Sequence, residues 1–214
     1  MIKYAIILLI AFISFQAIAQ NNFQNEVDDI VHRNDSIWDN SKETIVFTGS
    51  SSIRFWTDVQ ERFPQYQVLN SGFGGSQTSD LLYHLDNLVL RYQPVKVFIY
   101  EGDNDIFAKI RPRSIIQTTE QVIQQIQNKL PSSEIVLISA KPSISRWKLK
   151  GKYKRLNKRF SKMAISNPHI KYANVWDIML NGRKVRTDIF IEDGLHMNTL
   201  GYDLWYERIK PFLP

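Results

Sequence analysis

Cysteine is absent from the 214 residues. That excludes a disulfide framework, thiol catalysis, iron–sulfur clusters and cysteine-ligated zinc together. The chain also lacks an uninterrupted apolar run of roughly 18 residues, the length a membrane-spanning helix needs. Histidine is scarce, with only His32, His84, His169 and His196. A charged fraction of 22% with 12% aromatic residues excludes a disordered or collagen-like chain. A chain of this size buries a full core without covalent staples.

The one conspicuous apolar stretch stands at the start. Lys3 precedes an uncharged run from Tyr4 to Phe15, and Ala17-Ile18-Ala19 supplies the small-x-small pattern of a signal-peptidase site. Residues 1–19 therefore read as a secretory signal cleaved before Gln20, which implies a periplasmic or secreted protein with no stable membrane span. Residues 20–43 read as a helical segment packing on the domain, which itself occupies 44–214.

Within that domain, β-rich apolar runs at 44–48 (TIVFT), 67–70, 95–100 (VKVFIY), 134–139 (EIVLIS) and 170–175 alternate with helical periods. Leu81, Leu82, Leu85, Leu88 and Val89 form one apolar helix face; Ile115, Ile116, Val122, Ile123, Ile126 and Leu130 form another; Tyr153, Leu156, Phe160, Met163 and Ala164 form a third. A last helix spans about 199–212. Strands apolar on both faces belong to a parallel sheet between helix layers. The pattern predicts a three-layer α/β/α sandwich with a five-stranded parallel sheet, in which ligands bind beyond the carboxyl ends of the strands.

Four polar blocks fall at that rim. They are Gly49-Ser50-Ser51-Ser52 after the first strand, Asn70 to Ser76 (NSGFGGS) after the second, Gly102-Asp103-Asn104-Asp105 after the third, and Glu192 to His196 before the last helix. Together they have the parts for acyl transfer. A serine hydroxyl needs a base to take its proton, and His196 is the histidine on the active rim. Asp193, three residues earlier, can accept from its Nδ1–H and stabilise the imidazolium. The N–H of Ser51, the N–H of Gly75 and the Asn104 carboxamide can donate to an oxyanion, where loss of one donor typically costs about 10²–10³ in rate. The rival reading of the same fold is a flavodoxin-like module holding FMN phosphate in the Ser/Thr-rich loop at 48–52.

The block order resembles the SGNH (GDSL-type) hydrolases over residues 44–213. FTGSSSIRFW is similar to block I, NSGFGGSQT to block II, GDND to block III and EDGLHMN to block V. The resemblance implies a serine esterase without a cofactor: Ser51 as nucleophile, Gly75 and Asn104 as oxyanion donors, and Asp193 and His196 completing the triad. The usual Gly-Asp-Ser-Leu is here Gly49-Ser50-Ser51-Ser52, so choosing Ser51 over Ser50 and Ser52 rests on the alignment. The family includes carbohydrate deacetylases, lysophospholipases, thioesterases and general esterases. A short-acyl ester, of a carbohydrate among others, is the expected substrate, with acyl transfer as an alternative outcome.

Arg146 and Trp147, after the fourth strand, are expected to line the substrate site. Core packing is expected for most of Phe55, Trp56, Phe73 and Phe107. No block suggests a metal, because one rim histidine is thin for zinc. The formal net charge of +6 is concentrated: residues 146–162 hold nine Lys and Arg and no acid, which leaves the remainder at −3. This segment reads as a helix with a cationic outer side that could meet an anionic envelope surface. Nucleic acid is disfavoured by export and by the absence of a base-stacking module.

Overall fold

The computed structural model describes residues 23–213, so the leader and its cleavage point lie outside the described residues. Five strands carry the fold: β1 (Thr44–Gly49), β2 (Gln67–Gly72), β3 (Lys96–Tyr100), β4 (Glu134–Ile138) and β5 (Ile170–Ala173). All their pairings are parallel, in the order β2-β1-β3-β4-β5. This is the expected five-stranded parallel sheet between helices. The chain winds outward in opposite directions from β1, so a crevice opens beyond the carboxyl ends of β1 and β3.

The two-residue period of each strand sorts its side chains into two cores. Val46, Val97, Ile99, Ile135 and Leu137 face one side of the sheet. Helices α1 (Gln24–Ile37), α4 (Thr78–Tyr83), α5 (Leu85–Leu88), α7 (Pro112–Lys129) and α8 (Lys150–Ser166) close over them. Ile45, Phe47, Phe98, Tyr100, Val136 and Ile138 face the other side. There they meet α2 (Ser51–Arg54), α3 (Val59–Arg62) and α9 (Thr199–Ile209). That second core is the aromatic one. Phe47 stacks on Phe98 with ring centroids 4.3 Å apart, and Trp56 lies edge-on to Trp205 at 6.0 Å. Each such buried ring contributes roughly 1.5–3 kcal/mol.

Three elements differ from expectation. The apolar face at 81–89 is not one helix: His84 takes non-helical angles (φ −97, ψ 12) and separates α4 from α5. The last helix ends at Ile209 and gives way to a 3₁₀ turn, Lys210–Phe212, where Pro211 has no N–H to continue the ladder. A short antiparallel pair, β6 (Leu180–Asn181) and β7 (Lys184–Val185), lies beyond the five-stranded sheet.

Helix α1 packs Val27 and Ile30 into the first core, and its buried Asn34 donates to Ser71 Oγ at 2.9 Å. Helix α8 buries Tyr153, Leu156 and Phe160 and leaves Lys150, Lys154, Arg155, Lys158, Arg159 and Lys162 exposed. The cationic face therefore runs along a flank, from the site end of the sheet toward the start of β5. No helix among the described residues is long and apolar enough to cross a membrane.

Candidate active site

The first strand ends in a turn that only glycine fits. Gly49 has φ +129, and a Cβ there would stand 2.0 Å from the Tyr100 carbonyl oxygen. The Ser50 N–H donates to that same oxygen at 3.1 Å. This close approach of β1 to β3 swings the chain directly into α2. Ser50 and Ser52 point into the protein, at 2% and 3% exposure. Ser51 is half-buried at the head of α2, with its Oγ 3.0 Å from His196 Nε2. Of the three serines left open by the sequence, Ser51 is the one joined to the histidine.

His196 stands on a loop closed by a bridge between Phe190 and Met197 and by the Ile191 N–H donating to the His196 carbonyl at 2.9 Å. Its Nδ1 is 2.5 Å from Asp193 Oδ2. The other carboxylate oxygen of Asp193 accepts from the N–H groups of Leu195 (2.8 Å) and His196 (2.9 Å). Desolvation pushes the Asp193 carboxyl up. The two N–H donors and the imidazole outweigh it, so Asp193 sits below the usual carboxylate range. Phe55 meets the His196 ring edge-on at 4.9 Å.

Opposite, the loop after β2 presents Gly75, which is exposed, at φ +76, with nothing within 4 Å of where a Cβ would be. The half-buried Asn104, in α6 (Asp103–Phe107), donates one amide hydrogen to the Ser76 carbonyl at 2.9 Å, and a second remains for a ligand. Three carboxyl groups brace the loop from beneath. Glu101 accepts from Ser76 Oγ (2.7 Å), Asp80 from the Gln77 N–H (2.8 Å) and Asp105 from the Thr78 N–H (3.1 Å). Glu26 of α1 holds the loop from the side, accepting from the Gly74 N–H at 2.8 Å and pairing with Arg54 at 3.1 Å.

Burial, followed by the charge of Asp105, drives Glu101 well above its usual range. Burial raises Asp105 from 3.8 to about 6 against the pull of the Thr78 donors. Between those two values the folded protein keeps a proton that the unfolded chain releases, so this contribution to stability declines as pH rises through that window. Asp105→Asn removes the titration and keeps an acceptor for Thr78. Its melting temperature, followed by circular dichroism, should gain roughly 3–8 °C on the parent's between about pH 4 and pH 7. Parallel curves across that range would count against a raised Asp105.

Arg146 and Trp147, expected to line the site, are occupied otherwise. The Arg146 guanidinium bonds Asp103 Oδ1 (2.6 Å) and Asn104 Oδ1 (3.0 Å) and lies 4.4 Å from the Phe107 ring centroid. Trp147 stacks on Trp176 at 6.0 Å, with Lys150 over its ring. Of the four aromatic residues beside the blocks, Trp56 and Phe73 are in the core. Phe55 and Phe107 are 44% and 59% exposed, and with Ile144 and Ile191 they leave apolar surface around the site. Among the described residues, no group of three or more His, Cys, Asp or Glu is arranged to hold a metal ion.

Sequence reasoning set Asp103 in a rim block and Tyr153 on a helix face and gave Lys141 and Tyr100 no role; it did not show that the four meet beneath the site. Tyr153 OH and Tyr100 OH donate to the two Asp103 oxygens at 2.6 and 3.0 Å. Lys141 Nζ lies 3.8 Å from Asp103 and donates to the Leu195 carbonyl at 2.6 Å. Burial pushes the Asp103 carboxyl up, and Lys141 and Arg146 together bring it below its ordinary value. A lysine three residues beyond an apolar strand, with an aspartate in the rim block, was the available signal.

A doubly wound α/β/α sheet with Ser, His, Asp, Gly and Asn gathered at one rim defines an ester-hydrolysing enzyme. The chain belongs to the GDSL-like lipase/acylhydrolase family, whose pattern residues 35–204 match. No curated protein matches it. Among solved structures, it is similar to a Streptococcus pneumonia protein named for platelet activating factor, with TM-score 0.77 and 23% identity over 94% of this chain and 99% of that one. It is also similar to a GDSL-like lipase from Bacteroides thetaiotaomicron (TM-score 0.73, 20% identity, 87% and 96% covered). A third likeness is to a lipase/acylhydrolase from Enterococcus faecalis (TM-score 0.66, 23% identity, 80% and 97% covered). Membership in this family leaves the flavin-module reading of the fold without support.

Proposed function

We propose that the protein is an exported serine esterase acting on carboxylic esters with short acyl groups, through Ser51, His196 and Asp193. The observation that carries this reading is the unbroken line from Ser51 Oγ to His196 Nε2 and from His196 Nδ1 to Asp193. In this mechanism Ser51 Oγ attacks the ester carbonyl while His196 Nε2 takes its proton. The N–H groups of Ser51 and Gly75 and the Asn104 amide hold the oxyanion. Collapse expels the alcohol, which leaves with the proton from His196. A water molecule, deprotonated by His196, then attacks the acyl-enzyme; collapse releases the carboxylic acid and returns the proton to Ser51.

The exposed Phe55, Phe107, Ile144 and Ile191 favour an apolar ester over a sugar platform, because Trp147 is already stacked on Trp176. Export rests on residues 1–19 of the sequence. The test is turnover of p-nitrophenyl acetate, its block by a serine-directed phosphonate, and mass mapping of the adduct. The adduct is expected on Ser51 in a mature chain beginning at Gln20. An adduct elsewhere, or turnover that survives the phosphonate, would overturn the nucleophile. A secreted chain still carrying residues 1–19 would overturn the signal.

A further inference from the structure

We propose that Asp103, Arg146 and Lys141 form a buried ionic brace that positions both halves of the active site, Arg146 setting the Asn104 amide and Lys141 setting the loop of Asp193 and His196. The inference rests on the triad reading above and assigns positioning roles to residues that touch no reacting atom.

Asn104 can serve an oxyanion only with its amide nitrogen, not its carbonyl oxygen, facing the substrate. Rotated by half a turn, the same side chain would present Oδ1 and repel the charge it should hold. Two contacts fix the orientation. The Ser76 carbonyl accepts from Nδ2 at 2.9 Å, and Arg146 Nη1 donates to Oδ1 at 3.0 Å. Arg146 is itself held at 2.6 Å by Asp103, and its side chain is only 10% exposed. Both contacts engage Nη1, so this end of the guanidinium is committed to the brace.

The other half is a loop whose position comes from the segment after β4. The N–H groups of Ile144 and Ser145 donate to the Gly194 carbonyl at 2.9 and 3.1 Å. Lys141, with a fully buried side chain, donates to the Leu195 carbonyl, between Asp193 and His196. Asp103 faces Lys141 on one oxygen and Arg146 on the other. Its remaining partners are Tyr100 and Tyr153, both donating hydroxyls. One carboxylate thus ties the end of β3 to the segment after β4, and through that segment ties the oxyanion side to the acid–base side.

The test is a double-mutant cycle on the full-length enzyme with p-nitrophenyl acetate, with melting temperature as a fold control. Arg146→Ala should lower kcat by roughly 10–100-fold with KM within about threefold, since it misorients one oxyanion donor. In an Asn104→Ala background the same change should cost less than about threefold, because the residue it positions is gone. Arg146→Lys should restore part of kcat, keeping the charge against Asp103 without the planar fork. Lys141→Met should lower kcat by a similar factor with or without Asn104, since it acts on the other half.

Independent, multiplying effects of Arg146→Ala and Asn104→Ala would overturn the brace. So would a raised KM with unchanged kcat, the mark of a substrate ligand, or a lowered melting temperature with kcat intact. Should Lys141→Met fail to fold, the Arg146 cycle decides alone. Failure of the triad reading is distinguishable, since it would appear as activity retained in Ser51→Ala.

Discussion

Ser51→Ala should lower kcat/KM for p-nitrophenyl acetate by roughly 10⁴–10⁶-fold, the loss expected when a serine nucleophile is removed and only the oxyanion donors and binding remain. The contrast with its neighbours makes the measurement specific. Ser50→Ala and Ser52→Ala should stay within about tenfold, because both hydroxyls lie inside the protein and neither reaches His196. The three side chains are consecutive and chemically identical, so composition and local charge are the same in all three variants. What differs is which one the turn at Gly49 delivers to the histidine. Equal loss in all three variants would mean that the turn had been disturbed. Full activity in Ser51→Ala would remove the nucleophile assignment.

The second large effect is on stability. Gly49→Ala should cost more than about 4 kcal/mol, and expression of folded protein should fall accordingly. Two penalties act there, positive φ and direct collision with the Tyr100 backbone, and they can be separated. Gly182 also has positive φ (+60), in the β6–β7 turn, but a Cβ there would meet nothing within 4 Å. Gly182→Ala should therefore cost only the conformational strain, about 1–2 kcal/mol. Urea denaturation of the two variants measures the difference. Similar costs would show that the clash at Gly49 is relieved by movement of β1 away from β3.

The sequence made the sheet legible because its strands are short, apolar on both faces and bounded by polar blocks. Val46 and Phe47 pack on opposite faces of the sheet, as a doubly buried strand requires. The rim blocks were legible for the same topological reason, since every parallel strand delivers its following loop to one edge. The break at His84 was not, because Leu81, Leu85, Leu88 and Val89 all remain buried on either side of it and the apolar period runs through. Phe55 and Trp56 are adjacent and aromatic, yet one is exposed and the other buried, a choice made by α9 packing from far along the chain, where Trp205 meets Trp56. The partners of Arg146 were not legible, because a cation at a rim looks available until its anion is known. Asp103 stands at the head of α6, 43 positions away.

Helix α1 has a practical consequence for anyone defining where the working unit begins. The sheet starts at Thr44 and the family pattern at residue 35, and either would be a natural place to trim an expression clone. Both cuts remove Glu26, the side chain that accepts from Gly74 beside Gly75, and both discard Val27 and Ile30 from the core. Both cuts also take Asn34 from Ser71. A trimmed protein would keep Ser51, Asp193 and His196 and still lack one wall of the loop that faces them. A fragment that keeps this wall therefore includes α1 from Gln24, well before the first strand.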